Sequence, residues 1–170
     1  AYVSAVDILR EKGFSVTDEQ LIEGIAATKF PARFEVCSKE PLVILDGAHN
    51  PQAASVLAEN VEKFLPKKRT LLCGMMADKD CAGVMNILAP LFEHIITVPV
   101  QSPRAISSEE LASLAEKYCG DVSAAQNAQQ ALDAALSSLS SEDSLVVAGS
   151  LYLASELRPA LMRFKGKTAL

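Results

Sequence analysis

Leu42-Val43-Ile44-Leu45-Asp46-Gly47-Ala48-His49-Asn50-Pro51 passes within ten residues from an apolar run to a polar loop and then to a helix start. Four consecutive aliphatic residues suit a strand covered on both faces, where neither side needs polar groups. Asn50 before Pro51 reads as an N-cap followed by proline at the first helical position, where its missing N–H costs nothing. The same hand-over recurs downstream. Strands are expected at 70–73, 95–98, 122–124 and 145–148. Between them, Val56, Leu57, Val61 and Phe64 fall on one helical side, with Pro66 as a stop. Asp80 can cap a helix whose inner face is Val84, Ile87, Leu88 and Leu91. Ser107 with Glu110 forms a capping box ahead of Leu111, Leu114, Ala115 and Tyr118, with Gly120 as terminator. Asn127 with Gln130 opens a helix buried through Ala131, Leu132, Ala135 and Leu136, and a last helix starts at Leu151. Strand–helix alternation of this kind predicts a Rossmann-like α/β fold, an open, mostly parallel sheet of about six strands with helices on both faces.

Upstream of that stretch the pattern changes twice. Two short helices come first, one with Val3, Val6, Ile8 and Leu9 on its apolar side and Gly13 as terminator. The other opens on a Thr17/Gln20 capping box and carries Leu21, Ile25 and Ala26. After Pro31, alternation around Phe34 and Val36 reads as a first, antiparallel strand, and Ser38-Lys39-Glu40-Pro41 as a turn. A hairpin through that turn sets Cys37 opposite Leu42 and Arg33 opposite Asp46.

Composition narrows the classes. With 170 residues the chain is long enough for one well-buried core, and 49% hydrophobic with 22% charged residues is a soluble globular balance. Net charge is −5 and the basic residues are scattered, so a nucleic-acid footprint is absent. Cys37, Cys73, Cys81 and Cys119 form no CxxC pair, which leaves buried thiols in a reducing compartment. No apolar run reaches the ~20 residues of a membrane span, and no secretory signal is visible. A cytoplasmic location with neither nucleic-acid nor membrane partner is the expectation. The chain has no initiating methionine, which suggests a piece of something longer.

Ligands of open parallel sheets bind beyond the carboxyl ends of the strands. Four polar segments converge there: 46–51, 74–80, 99–104 and 149–152. Arg33 and Asp46 suit a nucleotide, the guanidinium by stacking or binding phosphate, the carboxylate by accepting two ribose hydroxyls. A partly exposed salt bridge is the equal alternative, worth under about 1 kcal/mol. His49 precedes a helix N-terminus, where backbone N–H groups favour anions. Lys79 in Asp78-Lys79-Asp80 either holds a phosphate or belongs to a capped, solvated turn. Ser150 either binds a carboxylate or simply caps the last helix. His94 has no such company and no role. The ATP-cradling Gly-x-x-x-x-Gly-Lys-Ser/Thr loop is absent, as is any metal-ligand spacing.

These residues resemble the C-terminal domain of folylpolyglutamate synthase/dihydrofolate synthase, in the Mur ligase superfamily. The family's Asp-x-Ala-His-Asn-Pro signature appears as Asp46 to Pro51, and its Gly-Met-x-x-Asp-Lys-Asp loop is complete at Gly74 to Asp80. Its Trp-Pro-Gly-Arg segment appears as Phe30-Pro31-Ala32-Arg33, with phenylalanine for tryptophan and alanine for glycine. Pro103-Arg104-Ala105 and Gly149-Ser150-Leu151-Tyr152 fit less distinctively. The resemblance implies a ligase that uses ATP and Mg2+ to phosphorylate a carboxylate of folate or dihydropteroate. The L-glutamate amine then attacks the acyl phosphate. It implies Arg33 and Asp46 on the nucleotide, His49 as catalytic residue, and His49, Ser150 and Lys79 on glutamate or acyl phosphate. It assigns 1–29 to the helical tail of an ATPase domain acting in cis, and 30–170 to the α/β domain. The metal ligands would lie in that other domain, and the chain alone would not catalyse ligation. Three alternatives remain: another Mur-type amino-acid ligase, a serine hydrolase using Ser150 and His49, and a non-catalytic nucleotide-binding module.

Overall fold

In the computed structural model, residues 2–66 and 68–164 are described, and they form two compact units divided between Phe30 and Pro31. The first unit is a pair of helices, α1 (Tyr2–Glu11) and α2 (Asp18–Ala27). Gly13 adopts φ +87°. Its N–H donates to Arg10 O (3.0 Å) while Phe14 N–H donates to Leu9 O (3.1 Å). That is the Schellman closure expected of a glycine terminator. The Thr17/Gln20 capping box is formed, and Arg10 joins the two helices through Val16 O (2.8 Å) and the Asp18 carboxylate (2.7 Å). No residue of α2 is buried, and Ile8, Phe14, Ile22 and Ile25 are exposed.

The second unit holds a six-stranded sheet in the order β1-β2-β6-β3-β4-β5. Its strands are β1 (Glu35–Lys39), β2 (Leu42–Leu45), β3 (Arg69–Cys73), β4 (His94–Thr97), β5 (Val122–Ala124) and β6 (Ser144–Ala148). Only β1 runs antiparallel, to β2; every other pairing is parallel. Helices α3 (Pro51–Phe64), α4 (Cys81–Leu88) and α5 (Ser108–Ala115) share one apolar layer with Ile44, Leu71, Ile95 and Val146. Helices α6 (Ala128–Ser138) and α7 (Leu151–Arg163) share the other, with Val43, Leu45, Leu72 and Val147. Alternate strand residues thus feed opposite layers, and both faces of the central strands are sealed. Each fully buried aliphatic side chain contributes roughly 1.5–3 kcal/mol by leaving water. The caps at Asn50, Asp80, Ser107 and Asn127 all accept a helix N–H as expected.

Two expectations need correction. The hairpin turns at Glu40 and Pro41, so Lys39 pairs with Leu42, and a bulge between Val36 and Ser38 shifts the register by one. Cys37 therefore sits in the bulge, and Phe34 rather than Arg33 arrives opposite Asp46. Helix α5 stops at Ala115, and Tyr118 is exposed beyond it instead of packed.

Candidate functional site

The carboxyl ends of β2, β6 and β3 are laced together by backbone bonds that only small residues permit. Gly149 N–H donates to Ala48 O (3.0 Å) and Gly74 N–H to Ala148 O (3.3 Å). Gly149 has φ +108°, and a Cβ there would lie 2.7 Å from both Cys73 Sγ and Gly74 O. No other residue fits that position without displacing backbone. The loops after β3 and β4 are tied as well. Met76 bridges Ala105, Ala77 N–H donates to Arg104 O (2.7 Å), and Ile106 N–H donates to Met75 O (3.2 Å).

Asp46 sits where two loops meet. Its Oδ2 accepts the Phe34 N–H and its Oδ1 the Ala48 N–H, both at 2.7 Å. A carboxylate offers about four acceptor positions, so two stay open to a ligand. Arg33 forms no ion pair with Asp46 among the described residues; the salt-bridge alternative is not what the structure contains. Instead Arg33 Nη1 donates to Ala32 O (2.9 Å), and the guanidinium lies over Gly47, 2.7 Å from where a Cβ would stand. Ala32 and Phe34 flank it at φ +54° and +44°, a left-handed turn that non-glycine residues adopt at some cost. Arg33 and Asp46 line a cleft of about 490 Å³ with Phe34, Asn50, Val56 and Asn60.

His49, Lys79 and Ser150 line a second recess of about 110 Å³ with Met76, Leu151 and Tyr152. His49 Nδ1 is 2.8 Å from Gly47 O, a carbonyl, so Nδ1 carries the proton and donates. In the neutral ring this leaves Nε2 as an acceptor. Ser150 caps α7: its Oγ accepts from Tyr152 N–H (2.9 Å) and Leu153 N–H (3.3 Å), leaving its hydroxyl proton to donate. The hydroxyl's only hydrogen bonds among the described residues are these two, so no base activates it as a nucleophile. Lys79 Nζ lies 3.5 Å from Asp78, whose carboxylate Arg104 also approaches at 4.0 Å. The five proposed residues thus occupy one sheet edge but two recesses, not one mouth, and Gly47 lies beneath Arg33 and Leu151 between them.

Thiol chemistry is disfavoured here. Burial pushes the Cys37 thiol up to about 11 and raises Cys73 and Cys81 as well, so all three stay protonated at neutral pH. Among the described residues no group of three or more His, Cys, Asp or Glu could hold a metal ion. No described helix is long and apolar enough to cross a membrane. Two residues that sequence reasoning missed are Glu35 and Arg158. Arg158 grips the Glu35 carboxylate with Nη2 (2.7 Å) and Nε (3.0 and 3.2 Å), and Glu35 Oε2 accepts the Ala32 N–H (3.0 Å). They are 123 positions apart, so no local pattern signals the pair.

Residues 32–151 match the family described as Mur ligase, glutamate ligase domain. The chain belongs to that family. It is 34% identical over 151 residues to the dihydrofolate synthase/folylpolyglutamate synthase of Escherichia coli K12, covering 88% of this chain and 35% of the relative. It is 33% identical to the folylpolyglutamate synthase of Lacticaseibacillus casei, covering 90% of this chain and 35% of that protein. The chain therefore spans about a third of these relatives. Among solved structures, Escherichia coli FolC in complex with DHPP and ADP superposes with TM-score 0.84 at 30% identity, over 94% of this chain and 38% of that one. The Yersinia pestis bifunctional synthase complexed with AMPPNP and Mn superposes with TM-score 0.82 at 29% identity, over 92% and 37%. The Mur ligase architecture expected from the motifs is therefore shown, antiparallel first strand included.

Proposed function

We propose that this domain forms the nucleotide- and glutamate-facing side of a cytoplasmic, ATP-dependent ligase. That ligase adds L-glutamate to folate, to dihydropteroate, or to both. The observation that carries the reading is the pairing of the Arg33/Asp46 cleft with the His49/Lys79/Ser150 recess on one rim of a Mur ligase domain. The relatives' names and the ADP and AMPPNP in their structures support the choice of reaction and nucleotide.

In this reading Asp46 accepts ribose hydroxyls through its two open positions, and the Arg33 plane stacks on the base or meets a phosphate. ATP transfers its terminal phosphoryl group to the folate carboxylate, giving an acyl phosphate and ADP. The glutamate amine then attacks the acyl carbon; the C–N bond forms as the C–O bond to phosphate breaks, and phosphate leaves with that electron pair. His49 Nε2, aimed by the Nδ1–H bond to Gly47, can take the proton the amine sheds. The Ser150 hydroxyl proton and Lys79 face the anionic phosphate or the glutamate carboxylate. Magnesium would neutralise the phosphates, and its ligands belong to residues outside this chain. Residues 1–29, with Ile8, Phe14, Ile22 and Ile25 exposed, read as the tail of an ATPase domain acting in cis.

The test is glutamate- and folate-dependent ADP release. The full-length protein turns over and His49→Ala reduces kcat by about a hundredfold, the usual scale for a lost general base. The isolated chain shows no turnover. Robust turnover by the chain alone, or full activity in His49→Ala, overturns the reading.

A further inference from the structure

We infer that Glu35 and Arg158 are positioning residues that fix the Arg33 loop from helix α7, an inference that rests on the nucleotide role proposed for Arg33 and Asp46. Residues 32–34 carry two left-handed non-glycine conformations in three positions, Ala32 at φ +54° and Phe34 at φ +44°. Such a loop keeps its shape only if its surroundings over-determine it. Three bonds do so. Phe34 N–H is held by Asp46, Gly47 N–H donates to Ala32 O (2.8 Å), and Ala32 N–H is held by Glu35 Oε2 (3.0 Å).

The first two tie the loop to β2; the third ties it to α7, because Glu35 is itself gripped in the fork of Arg158. Two parallel N–H donors on one carboxylate fix orientation as well as distance. The Glu35 side chain is 18% exposed and Arg158 38%, so water competes only partly for the pair. The Arg158 hydrogen bonds hold the Glu35 carboxyl below its ordinary range, and the clamp is therefore charged at neutral pH. Arg158 belongs to the helix whose first turn carries Ser150, Leu151 and Tyr152. Both recesses thus take their alignment from α7, at its N-terminus on one side and through Arg158 on the other. Neither Glu35 nor Arg158 lines either recess, so the effect on ligand passes through Arg33.

The experiment is steady-state kinetics of the full-length protein with ATP varied, for Glu35→Gln, Arg158→Gln, Arg33→Ala and the double variant Glu35→Gln/Arg33→Ala. Glu35→Gln keeps the side chain's shape and one acceptor oxygen, but it sets an NH2 donor against Arg158 Nη2 where Oε1 accepted, so the charge and the fork are lost. Glu35→Gln and Arg158→Gln raise KM for ATP by about tenfold, the scale of one charge-assisted hydrogen bond, with kcat within about twofold and a small fall in the unfolding midpoint that Arg33→Ala does not share. The double variant is no worse than Arg33→Ala alone, because both changes act through one guanidinium. If Arg33→Ala raises KM while Glu35→Gln does not, or if the two effects simply add, the positioning role is overturned and the nucleotide site stands. If Arg33→Ala leaves KM for ATP untouched, the nucleotide reading fails and the clamp falls with it.

Discussion

The two edges of the sheet differ in how they treat charge. At the amino edge several charged groups stand beside an opposite charge or a carbonyl. Lys68 Nζ meets Asp143 at 3.1 Å, His94 Nδ1 lies 3.1 Å from Asp121, and Arg69 donates to Pro66 O and Leu65 O (2.7 and 2.9 Å). Clefts of about 600 and 270 Å³ exist there, and of the cations lining them Lys68 faces a carboxylate and Arg69 two carbonyls. At the carboxyl edge Lys79 and Arg104 stand by Asp78, but three other site side chains keep hydrogen-bonding capacity open. Asp46 bonds only N–H groups, Arg33 gives one bond to its own loop, and His49 Nε2 is without a partner among the described residues. Cavity volume alone therefore does not mark the proposed binding edge, since the amino edge holds a cleft of about 600 Å³ against about 490 Å³ at the carboxyl edge.

Four substitutions break or sharpen that contrast. Gly149→Ala forces a Cβ at φ +108° against Cys73 and Gly74. It lowers stability by about 4 kcal/mol, read as a shifted denaturation midpoint, combining backbone strain with overpacking. Arg33→Ala leaves that midpoint nearly fixed and weakens ATP by about thirtyfold, measured by calorimetry on the full-length protein. Asp143→Asn does the reverse, costing about 1 kcal/mol of stability with ATP affinity unchanged. The Ser140 N–H chiefly, with Lys68, holds the Asp143 carboxyl below its ordinary range. Its contribution is therefore present above the unfolded value near ~3.9 and lost as pH falls through the lower folded one. Denaturation midpoints of wild type and Asp143→Asn should converge below that window. Ala32→Gly changes stability least, by under about 1 kcal/mol. The relief at φ +54° is offset by greater freedom of the unfolded chain.

What was legible in the sequence is what is local. Thr17/Gln20, Asn50-Pro51, Asp80, Ser107/Glu110 and Asn127 each declare a helix start within four residues, because a cap acts on N–H groups of its own first turn. The insertion of β6 between β2 and β3 has no local signature, since strand order is decided by packing across the whole unit. The register of β1 was missed because a bulge at Cys37 and a turn confined to Glu40 and Pro41 each move the pairing, and a one-residue bulge in a five-residue strand leaves too short a pattern to read. The candidates Asp46, His49, Lys79 and Ser150 could be nominated from strand ends, whereas Arg33 was nominated through a hairpin register that the bulge displaces. Their division into two recesses could not, because it depends on Arg33 and Leu151 both resting above Gly47, from opposite ends of the chain.

The backbone bridge between Met76 and Ala105 carries a consequence for how this domain can vary. Surface loops ordinarily tolerate insertions, because each added residue costs little closure entropy. The segments after β3 and β4 lack that freedom, since Ala77 and Ile106 lend their N–H groups to the opposite segment. Lengthening either by one residue would put those donors out of step with their acceptors. The two segments must therefore change length together or keep it, and a grafted loop from another protein would succeed here only as a matched pair.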